Sequence, residues 1–156
     1  MEVLFESSKN KKIIFGRLLL FVIIPTVIFI VGIGLVNGLS LEYFTSFAPF
    51  LAMICLVCFG IFSFYPRRYY ILNISYGDDL LIIKYIYFFR HNEIKLNVNE
   101  TSFQLSGLRG SQQYLEILEN SKIVIKQAPF LEWQMTLIIK IKNQLIARKI
   151  KFNKFY

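Results

Sequence analysis

The chain has a single histidine, His91, two cysteines, Cys55 and Cys58, and only 10 acidic side chains against 18 Lys and Arg in its 156 residues. General-base, metal-ligating and nucleophilic chemistry draws heavily on these scarce residue types, so few such sites can be assembled. His91 falls beside Arg90 and Asn92 in a predicted hairpin turn, the setting of a solvated turn residue rather than a base or ligand. Cys55 and Cys58 have C-x-x-C spacing but sit in an uncharged apolar run without a nearby His, basic residue or second thiol pair. They read as small packing residues, not as thiolates. Asp78 and Asp79 are adjacent in a predicted turn and offer too few oxygens for a hard cation. P-loop, G-x-G-x-x-G, G-x-S-x-G and H-E-x-x-H patterns are all missing, which removes the common phosphate, nucleotide and hydrolase signatures. No catalytic residue, cofactor or metal is expected, and the chain reads as a non-enzyme.

What the sequence has in excess is apolar surface. Hydrophobic residues make up 55% of it, and its mean hydropathy is +0.50, more than a small water-soluble domain can bury. The excess is concentrated in residues 13–36, with Arg17 as the only charge, and residues 47–65, with none. Both runs approach or exceed the roughly 20 residues that cross a bilayer as a helix. Arg17 lies near one end, where its side chain can snorkel, and Phe47, Phe64 and Tyr65 rim the second run as interfacial aromatics do. The first run is too long for the apolar core of a cleaved leader and no A-x-A-like site follows it. Pro25 can kink that helix without splitting it. Gly34 and Gly38 form a lone G-x-x-x-G in which Gly38 reads as a helix terminator.

Lys9, Lys11, Lys12 and Arg17 precede or open the first run, Arg67 and Arg68 follow the second, and residues 37–46 between them carry only Glu42. Short basic loops resist translocation, so the pattern predicts a transmembrane hairpin with both termini cytoplasmic and the connection outside.

Beyond residue 68 the pattern changes to short β-rich runs between polar turns. Strands are predicted at residues 69–75, 80–89, 93–98, 102–108, 113–118 and 122–126, five or six in meander order, with Ile94, Leu96 and Val98 alternating against Glu93, Lys95 and Asn97. A helix is predicted from Pro129, with Glu132 in its first turn, Arg148 and Lys149 at its end, and Leu131, Gln134, Leu137, Ile138, Ile141 and Leu145 on one face. The fold class is therefore a membrane α-helical hairpin plus an α+β domain, an antiparallel bent sheet capped by a C-terminal helix. The divisions are an N-terminal segment 1–12, the hairpin 13–65 and a cytoplasmic domain 66–156.

A transmembrane hairpin followed by short antiparallel strands, the Gly77-Asp78-Asp79 turn and a closing helix that bears Trp133 resembles bacterial membrane proteins with a PH-like domain. The likeness spans about 80 residues plus the hairpin. It implies a bacterial cytoplasmic membrane location and a recognition or scaffolding role toward a protein partner, anionic lipid headgroups, or both. Residues 140–156 hold Lys140, Lys142, Arg148, Lys149, Lys151 and Lys154, no acid, and the aromatics Phe152, Phe155 and Tyr156. Near an anionic leaflet each such cation is worth about 1 kcal/mol. With Arg67, Arg68 and Arg109, the residues Lys140, Arg148, Lys149, Lys151 and Lys154 are the candidate headgroup or phosphate contacts. Arg109 lies in Gly107-Leu108-Arg109-Gly110-Ser111, readable either as a flexible loop or as a glycine-rich anion cradle. Nucleic acid is not expected as a partner, because no recognised motif accompanies the charge. Two other readings fit the architecture: a small accessory subunit of a larger transport or secretion complex, and a membrane-embedded immunity or toxin-type protein.

Overall fold

The computed structural model describes residues 1–38, 40, 42–107 and 113–153, with only the backbone of Phe44. The chain forms two compact units, Lys12–Pro66 and a composite of Met1–Lys11 with Arg67–Tyr156.

The first unit is a helical pair, α1 (Lys11–Val36) and α2 (Ala48–Phe64), joined through a π-helical turn at Tyr43–Phe47. Both helices are long and apolar enough to cross a membrane, the second when counted with the turn that leads into it. Large side chains such as Ile28, Val27, Phe62 and Met53 are open to the surroundings. Pro25 stays inside α1. Its missing N–H leaves the Phe21 carbonyl without its helical donor, and Ser63 Oγ on α2 donates to that carbonyl at 3.4 Å. Tyr43 Oη donates to the Ile30 carbonyl at 2.7 Å, fastening the connecting turn to α1. Gly38 adopts φ +71° just past the end of α1, the left-handed conformation that stops a helix.

Among the described residues, the second unit contains eight strands in two four-stranded sheets, where sequence patterning predicts one sheet of five or six. One sheet has the order β1 (Glu2–Glu6), β2 (Tyr69–Gly77), β3 (Leu80–Tyr87), β4 (Arg90–Asn97), antiparallel throughout. The other has the order β7 (Lys122–Gln127), β6 (Tyr114–Glu119), β5 (Thr101–Ser106), β8 (Lys151–Asn153). β8 runs parallel to β5, so the domain is not purely antiparallel. Helix α3 (Met135–Ala147) buries Ile138, Ile141 and Leu145. The core is aliphatic and aromatic: Ile74, Leu81, Ile83, Leu96, Phe103, Leu115, Ile117, Ile125 and Trp133 are fully buried.

The two extra strands come from opposite ends of the chain. Residues 1–12 read as a separate segment in the sequence, yet Glu2–Glu6 pairs with β2, Glu2 opposite Tyr76 and Glu6 opposite Asn73. Leu4 and Phe5 are buried, and the Phe5 ring meets Trp133 edge-on at 4.6 Å between centroids. β8 has only three residues, too short to show a period.

Three hairpins turn on two residues of positive φ each: Asp78 and Asp79 (51° and 58°), Phe88 and Phe89 (42° and 76°), Asn120 and Ser121 (49° and 65°). This is the type I′ arrangement that matches strand twist. The second turn therefore lies at Phe88-Phe89, and His91 is an exposed residue of β4 rather than of a turn. Asx and Ser side chains tolerate the left-handed region, whereas for bulky residues it costs roughly 1–2 kcal/mol each.

Helix α3 starts six residues after Pro129, because Leu131 turns left-handed at φ +57° and Trp133 is drawn into the core. Its indole N–H donates to the Ile71 carbonyl at 3.2 Å. Gln127, itself fully buried, accepts the Ile71 N–H at 2.7 Å and donates to the Ala128 carbonyl at 2.7 Å. β1 pairs only from Asn73 onward, so this part of β2 has no strand on that side. Two side chains, Gln127 at the end of β7 and Trp133 in the segment that follows it, take the place of a strand and satisfy both polar backbone groups of Ile71.

Candidate recognition surface

The sequence-selected cations are not one patch. Arg67 is half-buried with its guanidinium 5.7 Å from the Phe130 ring centroid; burial lowers its pKa, with Tyr114 opposing. Arg68 lies 5.6 Å from the Tyr69 ring centroid, and both arginines sit where the chain enters β2. Lys140 is exposed on α3, and Lys149 and Lys151 are exposed just beyond it. Lys142 reaches over the Phe152 ring at 5.1 Å. Arg148 is engaged within the domain: it forms an ion pair with Glu2 of β1 and donates from Nη1 to the Gln144 carbonyl at 2.9 Å. Arg148 thus serves β1 before it can serve a ligand. Arg109, Lys154, Phe155 and Tyr156 lie outside the described residues.

Glu132 is not a first-turn helix residue. Its carboxylate accepts hydroxyls from Ser7, from Ser8 at 3.2 Å and from Tyr70 at 3.1 Å, tying the N-terminal segment to the turn before α3. Burial, first of several causes, pushes the Tyr70 hydroxyl well above its ordinary pKa, so it is a donor at any physiological pH.

Glu116 is the buried charge of the second sheet, 2% exposed. Lys126 Nζ lies 2.7 Å from its carboxylate, Gln104 Nε2 donates to it at 2.7 Å and Ser106 Oγ at 2.5 Å. Burial alone would raise this carboxyl, but the three donors and the lysine charge outweigh it and its pKa is lowered. A carboxylate held ionised by three donors is a poor proton acceptor, so the network stabilises structure.

A cleft of about 560 Å³ is lined by polar groups that include Glu6, Lys9, Lys84, His91 and Glu93. Its acids and bases alternate in sign, Lys84 standing 3.9 Å from Glu93, so it has no strong preference for an anion. Among the described residues no cluster of three His, Cys, Asp or Glu side chains is arranged to hold a metal.

The other distinctive surface is the β3–β4 tip. Phe88 and Phe89 are 42% and 38% exposed, and the Phe88 N–H donates to the Arg68 carbonyl at 3.1 Å. Tyr69 packs 4.8 Å from Tyr87 and 5.9 Å from Tyr85, and Tyr87 packs 4.9 Å from Phe88. Arg68, over Tyr69, and Arg90, paired with Tyr87, adjoin this aromatic group at one end of the first sheet, while Arg67 at the same end turns its guanidinium to Phe130.

No protein-family profile, curated protein or solved structure matches this chain. The surface has therefore to be read from its own chemistry.

Sequence reasoning found Arg67 and Arg68 but missed the tip they adjoin. Phe88-Phe89 lacks the Gly, Asn or Asp that marks a type I′ turn, so the chain seemed to continue as strand to residue 89. The usable signal was the run of aromatics at positions 85, 87, 88 and 89 ending at Arg90.

Proposed function

We propose that the chain is a non-enzymatic, membrane-anchored recognition or scaffolding protein. In this reading the helical pair crosses a bacterial cytoplasmic membrane as a hairpin, and a PH-like domain on the cytoplasmic side binds anionic headgroups, a protein partner, or both.

The observation that carries the reading is the pairing of β1 with β2. β1 precedes α1 and β2 follows α2, so the two apolar helices are an insertion between adjacent strands of one sheet. Strands that share hydrogen bonds lie on the same side of a bilayer, and an insertion of two spans returns the chain to the side it left. Lys9, Lys11, Lys12 and Arg17 at one flank and Arg67 and Arg68 at the other favour the cytoplasmic side. Seven strands in two sheets closed by a C-terminal helix, with β8 appended, support the PH-like assignment. Exposed Lys140, Lys149 and Lys151 supply cations suited to headgroups or to an acidic partner.

Two measurements test it. A cysteine introduced at Ser40 is expected to react with an impermeant maleimide in intact cells and one introduced at Asn120 only after lysis; the opposite pattern rejects the topology. Mass spectrometry of material purified in mild detergent then compares the full chain with one ending at Arg68. A stoichiometric protein lost on truncation identifies protein recognition, whereas anionic lipid enriched only with the full chain identifies headgroup binding. Enrichment of neither rejects the recognition role.

A further inference from the structure

We infer that the Phe88-Phe89 hairpin tip inserts into the bilayer interface, making a second, non-covalent attachment that fixes how the domain is held at the membrane. This rests on the membrane-anchored reading above.

Comparison of turns within the molecule makes the first argument. Among the described residues, three type I′ turns have two central residues of positive φ, and two of them use Asp-Asp and Asn-Ser, which tolerate that conformation. Only the β3–β4 turn places two phenylalanines there, partly exposed. The backbone geometry disfavours aromatic rings at this point, and a substantial part of each is left exposed, so an external apolar environment is the simplest role for the exposed part.

Position supplies the second. The Phe88 N–H is bonded to the Arg68 carbonyl, and Arg68 is four residues beyond Phe64, the end of α2. The tip is thus held by hydrogen bond to the stretch through which the chain leaves the membrane. Tyr69, Tyr85 and Tyr87 continue the aromatic group, and aromatic rings with neighbouring arginines are the composition of the headgroup region.

Charge supplies the third. β2 has nine residues, which separates its two ends by about 26 Å. Arg67, Arg68 and Arg90 are at the aromatic end, and the Asp78-Asp79 turn is at the other. A sheet with cations and aromatics at the end where the chain joins α2 and two carboxylates at the far end is matched to an anionic surface on the first side only.

The test uses spin labels on the full chain in anionic proteoliposomes, with Cys55→Ala and Cys58→Ala removing the native thiols. Labels are placed by Phe88→Cys, by Val57→Cys in α2 and by Asn120→Cys in a distant turn. Relaxation by oxygen, which concentrates in lipid, is compared with that by a water-soluble nickel complex. The expected oxygen-to-nickel ratio is several-fold higher at position 88 than at 120, and highest at 57. A label at 88 that matches 120 while 57 remains in lipid overturns the inference and leaves the anchoring intact. A label at 88 shielded from both reagents also overturns it, in favour of a protein contact. A label at 57 that matches 120 removes the anchoring itself, and the inference with it. Phe89→Cys serves as the second reporter should the first variant misfold.

Discussion

Replacing Gln127 with Leu isolates the side-chain seam that completes β2. The amide closes the bare flank of Ile71, taking its N–H at 2.7 Å and donating to the Ala128 carbonyl at 2.7 Å in a fully buried position. Leucine has similar volume, so the substitution removes hydrogen bonds without opening a cavity. Orphaning a buried backbone N–H costs about 1–3 kcal/mol. The Ala128 carbonyl adds less, because a carbonyl has a second lone pair, and the extra apolar contact returns a fraction. The net loss is about 2 kcal/mol, or roughly 8–16 °C in the midpoint of a domain of this size. Trp133, the only tryptophan, is fully buried against Phe5, so its emission reports unfolding of the full chain in detergent. Hydrogen exchange at Ile71 gives a local reading, and protection of that amide is expected to fall to the level of an opened edge. Lys140→Ala, at an exposed position of α3, is the control expected within about 0.5 kcal/mol of the parent. A Gln127→Leu midpoint indistinguishable from that control, with Ile71 still protected, would refute the account.

Other perturbations separate the remaining features. Glu116 has a lowered pKa in the fold, so the unfolded chain binds its proton more readily; its stabilisation is complete above the ordinary carboxylate range and is lost as pH falls through the folded value. Glu116→Gln is expected to lower the neutral-pH midpoint and flatten the acid limb, so that the two curves converge at low pH; parallel curves in a pH series would contradict this. The double substitution Phe88→Asn with Phe89→Gly relieves two strained residues and is expected to stabilise the domain by about 2 kcal/mol in thermal unfolding. Phe5→Ala removes a buried ring against Trp133 and is expected to cost about 3–5 kcal/mol, with exchange protection lost first along β1. Arg148→Ala breaks a largely solvent-exposed pair with Glu2 and is expected to cost under about 1 kcal/mol, measured by the same midpoint and abolished as a difference at high salt.

Local signals were legible and non-local ones were not. Six strands between residues 69 and 127 could be read because alternation and polar turns mark them within a few residues, and the two long apolar helices stand out by composition alone. β1 is invisible to such reading, because Glu2–Glu6 becomes a strand through the open edge of β2, more than sixty residues away. Pro129 suggested a helix start, but burial of Trp133 and the left-handed Leu131 displaced it to Met135. Arg148 looked like one cation in a basic tail, and nothing local indicates that its partner is Glu2, 146 positions earlier. Of the candidate surface, composition revealed the cations but not how they divide between the two ends of the domain and its internal pairs.

The insertion of two helices between paired strands also governs how the protein is made. β1 is synthesised before α1 and cannot pair with β2 until both helices have followed, an interval of several seconds at ~5–20 residues per second. In the proposed hairpin topology, failure of one helix to integrate would leave β1 and β2 on opposite faces of the bilayer. Leu4 and Phe5 would be absent from their site and the edge of β2 would stay bare, a substrate for proteases and a template for aggregation. In the proposed topology, folding of the domain would report correct insertion, because the strand Glu2–Glu6 can pair with β2 only when the chain has returned to the side it left.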